Sequence, residues 1–316
     1  MTDRLPGLAE ALHRLLEADA PAADPLWTAR IGALAHRLGA IVDRDADGSL
    51  FALVASASYG VEAYSSRHAL ATACVASLAA SAAGYTAAER MSLACAALTM
   101  NVAMTALQDE LVHRERTPTL AQRQAIDEHA ARGAALLRAA GVGDETWLEI
   151  VARHHDAPAA RDDPEPADAP LARRLARVLQ KADVFLAKLS PRAARKGLPV
   201  GVALRESCLD ASGRTDAAGR ALVHALGLYP PASIVRLANG ETAVVIGRGA
   251  RMDQPRVASV TGADRRPLPA PRVREAGAAE YRVQAALRGR ELGVALGERR
   301  LEQLLREVQS TCLEAP

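Results

Sequence analysis

Residues 67–108 read RHALATACVASLAASAAGYTAAERMSLACAALTMNVAMTALQ, and the near-absence of charge in this stretch decides the fold class. Ala69–Ala88 holds no charged residue, and neither does Met91–Gln108. Alanine dominates both runs, and it is the best helix former with almost no side-chain bulk. Two helices, Arg67–Ala83 and Ala87–Leu107, are therefore expected, separated by Gly84-Tyr85-Thr86. Each approaches the roughly 20 residues needed to cross a bilayer. Their Ala, Ser and Thr content, with Asn101 inside the second, fits a buried hairpin of a helical bundle better, so no membrane insertion is expected.

Outward from this pair, apolar residues recur at three- and four-residue spacing. The pattern predicts helices over Leu5–Glu17, Trp27–Val42, Leu50–Ser58, Thr119–Ala140, Asp144–His155, Leu171–Leu189, Leu198–Leu209 and Asp216–Leu226. Asp43–Ser49, DRDADGS, reads as a turn and N-cap; it has the alternating acids of a calcium loop but neither its length nor its final glutamate. Thr117 or Thr119 is placed to cap the long helix, and Gly141 to end it. Ala157–Pro170 is a polar, proline-rich loop. The texture then changes: Ser233–Leu237 and Thr242–Gly247 flank Asn239-Gly240, a strong hairpin signal, and Arg256–Thr261 could add a third strand. Arg265–Arg274 reads as a linker to two helix-like tail segments ending near Val308. The expected architecture is mainly α: an N-terminal helical segment (1–59), a helical bundle (60–229), and a small β-meander with a helical tail (230–316).

Composition narrows the function classes. At 316 residues the chain exceeds the roughly 250–300 where one core stops growing, so one main domain with appendages, or two small domains, is expected. The net charge of +2, from 39 basic and 37 acidic residues, creates no field that would select nucleic acid. Cys74, Cys95, Cys208 and Cys312 lie far apart, which fits neither a zinc ribbon nor a disulfide scaffold. The N-terminus lacks an uninterrupted apolar signal core, so a cytoplasmic location is expected.

Chemistry is expected from histidines and one aspartate. His68 opens the first uncharged helix, His129 lies four residues before Gly133, and His154 and His155 are adjacent at a helix end. Asp183 sits among apolar neighbours in VLQKADVFLAKL. Helices that bring such side chains into a bundle interior can build an oxygen/nitrogen metal site. Taken singly, each histidine reads better as a hydrogen-bonded or exposed side chain than as a ligand, and the His154-His155 doublet reads equally as either.

Their order carries more. His68, His129-x-x-x-Gly133, His154-His155 and Ala182-Asp183 resemble the HD-GYP branch of the HD-domain phosphohydrolases. Tyr64-Ser65-x-Arg67-His68 is similar to the family's entry to its first ligand helix, and Ser190-Pro191-Arg192 with Arg195 to its basic segment. Gly227-Leu228-Tyr229-Pro230-Pro231 and Val235-Arg236-Leu237-x-Asn239-Gly240-Glu241 resemble the hairpin that ends many such domains. The resemblance spans roughly residues 60–250. It implies an HD-type bundle holding two or three metals, and metal-assisted hydrolysis of cyclic di-GMP.

The departures matter as much. Where the family reads A-A-L-L-H-D-I-G-K, residues 96–104 read AALTMNVAM, so Met100, Asn101 and Met104 replace the His-Asp doublet and the lysine. A thioether suits hard divalent ions poorly, and an amide lacks the charge of a bridging carboxylate. Tyr64 stands where some members carry a glutamate ligand, and the G-Y-P loop is missing. His129, His154 and His155 match ligands of one family metal, and His68 and Asp183 match the other. Arg192 and Arg195 match a phosphate clamp within a basic neighbourhood (Arg173, Arg174, Arg177, Lys181, Lys188, Lys196). The reading is a degenerate, catalytically impaired member that binds or regulates in cyclic di-GMP signalling, holding one divalent transition metal (Fe, Mn or Zn) or none. Its partners would be a cyclic dinucleotide and signalling proteins. The rivals are an active metal-dependent phosphohydrolase and a protein-interaction fold with a vestigial site. Restoring His and Asp at 100 and 101 is expected to raise metal occupancy.

Overall fold

The computed structural model describes residues 5–17, 24–156, 169–193, 195–210, 213–287 and 297–313. The helical part runs α1 (Leu5–Glu17), α2 (Trp27–Arg44), α3 (Ala46–Tyr59), α4 (Tyr64–Ala82), α5 (Ala87–Thr99), α6 (Thr105–Val112), α7 (Leu120–Ala139), α8 (Glu145–Arg153), α9 (Leu171–Leu189), α10 (Val200–Cys208) and α11 (Ala217–Leu226). A sheet of β1 (Ile234–Leu237), β2 (Thr242–Gly247), β3 (Arg256–Thr261), β4 (Pro267–Glu275) and β5 (Val283–Ala286) follows, then α12 (Glu298–Leu313).

The uncharged helix α4 is the axis. It is buried on nearly every side, as expected of a helix without a polar face, and α1, α3, α5, α9 and α11 pack around it. Small side chains such as Ala69, Ala73, Ala76 and Ala80 leave room for that many neighbours. Side-chain caps set the helix starts. Thr86 with Glu89 and Thr119 with Gln122 form capping boxes, while Asp144 and Asp216 each accept from a first-turn N–H.

Three readings of the sequence are corrected. The acidic stretch 43–49 is a helix junction: α2 continues to Arg44, and Asp45 accepts from the Gly48 N–H to start α3. Residues 87–107 do not form one helix. The chain breaks at Met100-Asn101, passes through a 3-10 turn (Val102–Met104) and restarts as α6. The Asn101 carbonyl accepts from the Met104 N–H and the Thr105 hydroxyl, and Thr99 bonds back to Cys95, arrangements that bend helices. By length and composition Ala87–Val112 would suffice to cross a membrane, yet half of it is buried inside the protein. Finally, the expected linker is strand β4 and the first expected tail helix is strand β5. Pro267, Pro269 and Pro271 are tolerated because β4 is an edge strand whose ladder with β3 is concentrated in Arg272–Glu275. The expected loop after Asp156 lies mostly outside the described residues.

The sheet is antiparallel in the order β4-β3-β2-β1-β5, and Gly240 takes φ +86° in the β1–β2 turn. One face (Val244, Ile246, Ala258, Val260) joins the main helical core together with Leu301, Leu304, Leu305 and Val308 of α12. The other buries Val235, Leu237, Ala243, Val245 and Val257 in a small second core under Tyr229, Tyr281 and Val283. Arg248 ties sheet to helices, bonding Asp47 at 2.6 Å and the Ala225 carbonyl at 3.1 Å.

Candidate metal centre

Helices α7, α8 and α9 pack in sequence, and α9 lies on α4. That arrangement gathers histidines and an aspartate separated by as many as 115 residues in the chain. His129 comes from the middle of α7, His154 from the C-cap of α8, His155 from the turn after it, Asp183 from α9, and His68 from the first turn of α4.

His129, His154 and His155 form the centre. Their ligand nitrogens all lie within 4.8 Å of one another. The Nδ1 of His129 meets the Ile126 carbonyl, and the Nδ1 of His154 meets the Val151 carbonyl at 2.7 Å. A carbonyl can only accept, so each Nδ1 carries its hydrogen and each Nε2 is left with a lone pair. The two Nε2 atoms face each other at 3.2 Å. Two lone pairs at that distance repel unless a cation lies between them. Two ligands each about 2.05 Å from a tetrahedral ion sit about 3.3 Å apart, so the observed spacing fits a shared metal. His155 is the exposed member and can turn to meet the ion. Burial lowers the pKa of His129, and burial followed by the charge of His155 takes His154 down to about 3. Both are thus unprotonated and able to ligate at neutral pH. These residues fit one divalent ion.

His68 and Asp183 form a second unit. His68 Nε2 lies 2.7 Å from Asp183 Oδ1, and the Tyr64 ring stacks on His68 at 5.3 Å and 20°. Burial alone would raise the Asp183 pKa; the His68 hydrogen bond, with the charges of His68, His154 and His155, outweighs it and holds the carboxyl at about 2. The Tyr64 hydroxyl is buried and without a hydrogen-bond partner, and Ser190 and Arg192 act on it electrostatically. Arg192 and Arg195 exchange backbone hydrogen bonds, and Arg195 donates to the Ala187 carbonyl one turn beyond Asp183. Only Arg192 of that pair is aimed at Tyr64.

Met100 is fully buried in the main core, so a histidine substituted there enters apolar packing. Asn101 is buried and Met104 half-buried at the helix break. α7 crosses this break at Gly133, where a Cβ would make ordinary contacts with Val151, Val102 and the Met100 carbonyl at 3.5–3.7 Å. Part of the basic neighbourhood on α9 is paired. Arg177 and Lys181 pair with Asp216, Lys188 pairs with Glu206, and Arg174 lies over the Tyr85 ring. Two supporting contacts escaped the sequence reading. Asp109 accepts from both the N–H and the hydroxyl of Ser65 at 2.7 Å, capping α4 just before His68, and Trp147 donates to Thr99 beside Met100. The first acid after the uncharged run was the available signal for Asp109.

No known family model matches the chain, and no characterised protein or solved structure is significantly similar to it.

Proposed function

We propose that the chain is a degenerate HD-GYP-like protein that keeps one cation site, on His129, His154 and His155, and acts as a binding or regulatory module in cyclic di-GMP signalling. The observation that carries this reading is the pair of bare Nε2 atoms at 3.2 Å, each fixed by an Nδ1 hydrogen bond to its own helix. A divalent ion bound there would supply a Lewis acid for a phosphate oxygen. Arg192, exposed at the rim beside Tyr64, offers the matching charge for a phosphate. With Met100 in the core and Asn101 in place of a carboxylate, the ligands for a hydroxide-generating metal pair are missing. The test is thermal shift and calorimetry with cyclic di-GMP, with and without Zn(II) or Mn(II). Metal-dependent binding without turnover is the expected result; no binding under either condition contradicts the reading.

A single-metal phosphohydrolase is the second reading, and Asp183 favours it. Its carboxylate is ionised, oriented by His68, and close enough to His154 and His155 to interact with both. Such a carboxylate can orient an attacking water by accepting its hydrogen bond. Turnover of cyclic di-GMP that is lost with chelator and in His154→Ala would select this reading.

A further inference from the structure

We infer that the chain holds a single cation, that His68 is a positioning residue for Asp183 rather than a ligand, and that Tyr64 closes the position beside them. This rests on the reading that the three-histidine cluster binds metal.

Distance separates the two units. Two donors that share one tetrahedral ion at bond lengths of about 2.0–2.2 Å stand roughly 3.3–3.6 Å apart. His129 and His154, at 3.2 Å, come close to that spacing. His68 Nε2 and Asp183 Oδ1, at 2.7 Å, are at hydrogen-bond length, and an ion between them would have to force them apart. The other His68 nitrogen, Nδ1, is buried without a hydrogen-bond partner. Tyr64 covers one face of the ring, and the two residues are only 4% and 3% exposed. Among the described residues, His129, His154 and His155 form the single group of three or more ligating side chains at metal-holding range.

In this arrangement Asp183 acts on the metal through its charge. It is a fixed anion beside His154 and His155, oriented by the His68 hydrogen bond, and it favours a cation in the cluster without binding it. Outer partners of this kind typically change metal affinity by about 10–100-fold.

The experiment is Co(II) titration of the full chain, followed by calorimetry for stoichiometry and by d–d absorption for ligand geometry. The expected result is one Co(II) per chain. Asp183→Asn and His68→Gln should weaken affinity while leaving the d–d spectrum and the stoichiometry unchanged. Tyr64→Phe, which keeps the ring, should change neither. His129→Gln should alter the spectrum. Two Co(II) per wild-type chain, or a spectrum changed by His68→Gln, overturns the inference. If His68→Gln does not fold, the wild-type stoichiometry and the Asp183→Asn spectrum decide. No Co(II) binding at all overturns the cluster reading beneath it.

Discussion

Lowering the pH from 7 to 5 should destabilise the metal-free protein through His154. The residue is fully buried, and its pKa falls from 6.5 to about 3. In this window the unfolded chain binds a proton at residue 154 that the folded chain refuses. Stability linked to this group is therefore present above 6.5 and lost as the pH falls. The slope approaches about 1.4 kcal/mol per pH unit, which gives about 2 kcal/mol between pH 7 and 5. His129, lowered mainly by burial, acts in the same direction. Asp183 does not contribute here, because its window lies between 3.8 and about 2. The assay is urea unfolding with chelator present, followed by fluorescence of Trp27 and Trp147, both buried. His154→Gln has a different absolute stability, so the two pH slopes are compared. The variant should lose close to one proton's worth of dependence. Equal slopes in wild type and variant would refute the reasoning.

Four further outcomes are expected. Saturating Zn(II) should raise unfolding stability by about 2.7 kcal/mol at a hundredfold excess over Kd, and His129→Ala should abolish the gain, as read by urea titration. Met100→His should cost about 2 kcal/mol or more, because it places a polar ring in the core, and it should add no metal; a second ion by elemental analysis would contradict the burial argument. Ala63 adopts φ +45° at the start of α4, so Ala63→Gly should be neutral or stabilising by up to about 1 kcal/mol and Ala63→Val clearly destabilising, measured by thermal unfolding. Leu304 of α12 is fully buried against the main core, so Leu304→Ala should cost about 2–5 kcal/mol; an unchanged stability would mean that the C-terminal helix is not part of the cooperative fold.

Local signals were legible and long-range ones were not. Thr119, one of the two cap candidates, and Gly141 mark the ends of α7 in the sequence because caps and positive-φ glycines act within a few residues. The break at Met100-Asn101 was hidden, since the alanine-rich run holds no proline or glycine to mark it and α7 crosses it from more than 30 residues away at Gly133. Proline and arginine made β4 look like a linker, and only its pairing with β3 makes it a strand. The paired state of Arg177, Lys181 and Lys188 was equally hidden, because Asp216 and Glu206 lie beyond α9 on the next two helices. For the site, spacing alone could not join residues on four helices; the ordered resemblance selected them. The resemblance also divided them, matching His129, His154 and His155 to one metal and His68 with Asp183 to the other; what it did not supply is the direct His68–Asp183 hydrogen bond under the Tyr64 ring. That contact depends on ångström-scale distances.

Metal content per chain tests the central claim most directly. The 316-residue chain, purified without chelator and saturated with Zn(II) or Mn(II) before desalting, should retain close to one ion per chain by elemental analysis. A His129→Ala/His154→Ala variant should retain none. Two ions per wild-type chain, or none on a folded chain, would contradict the account.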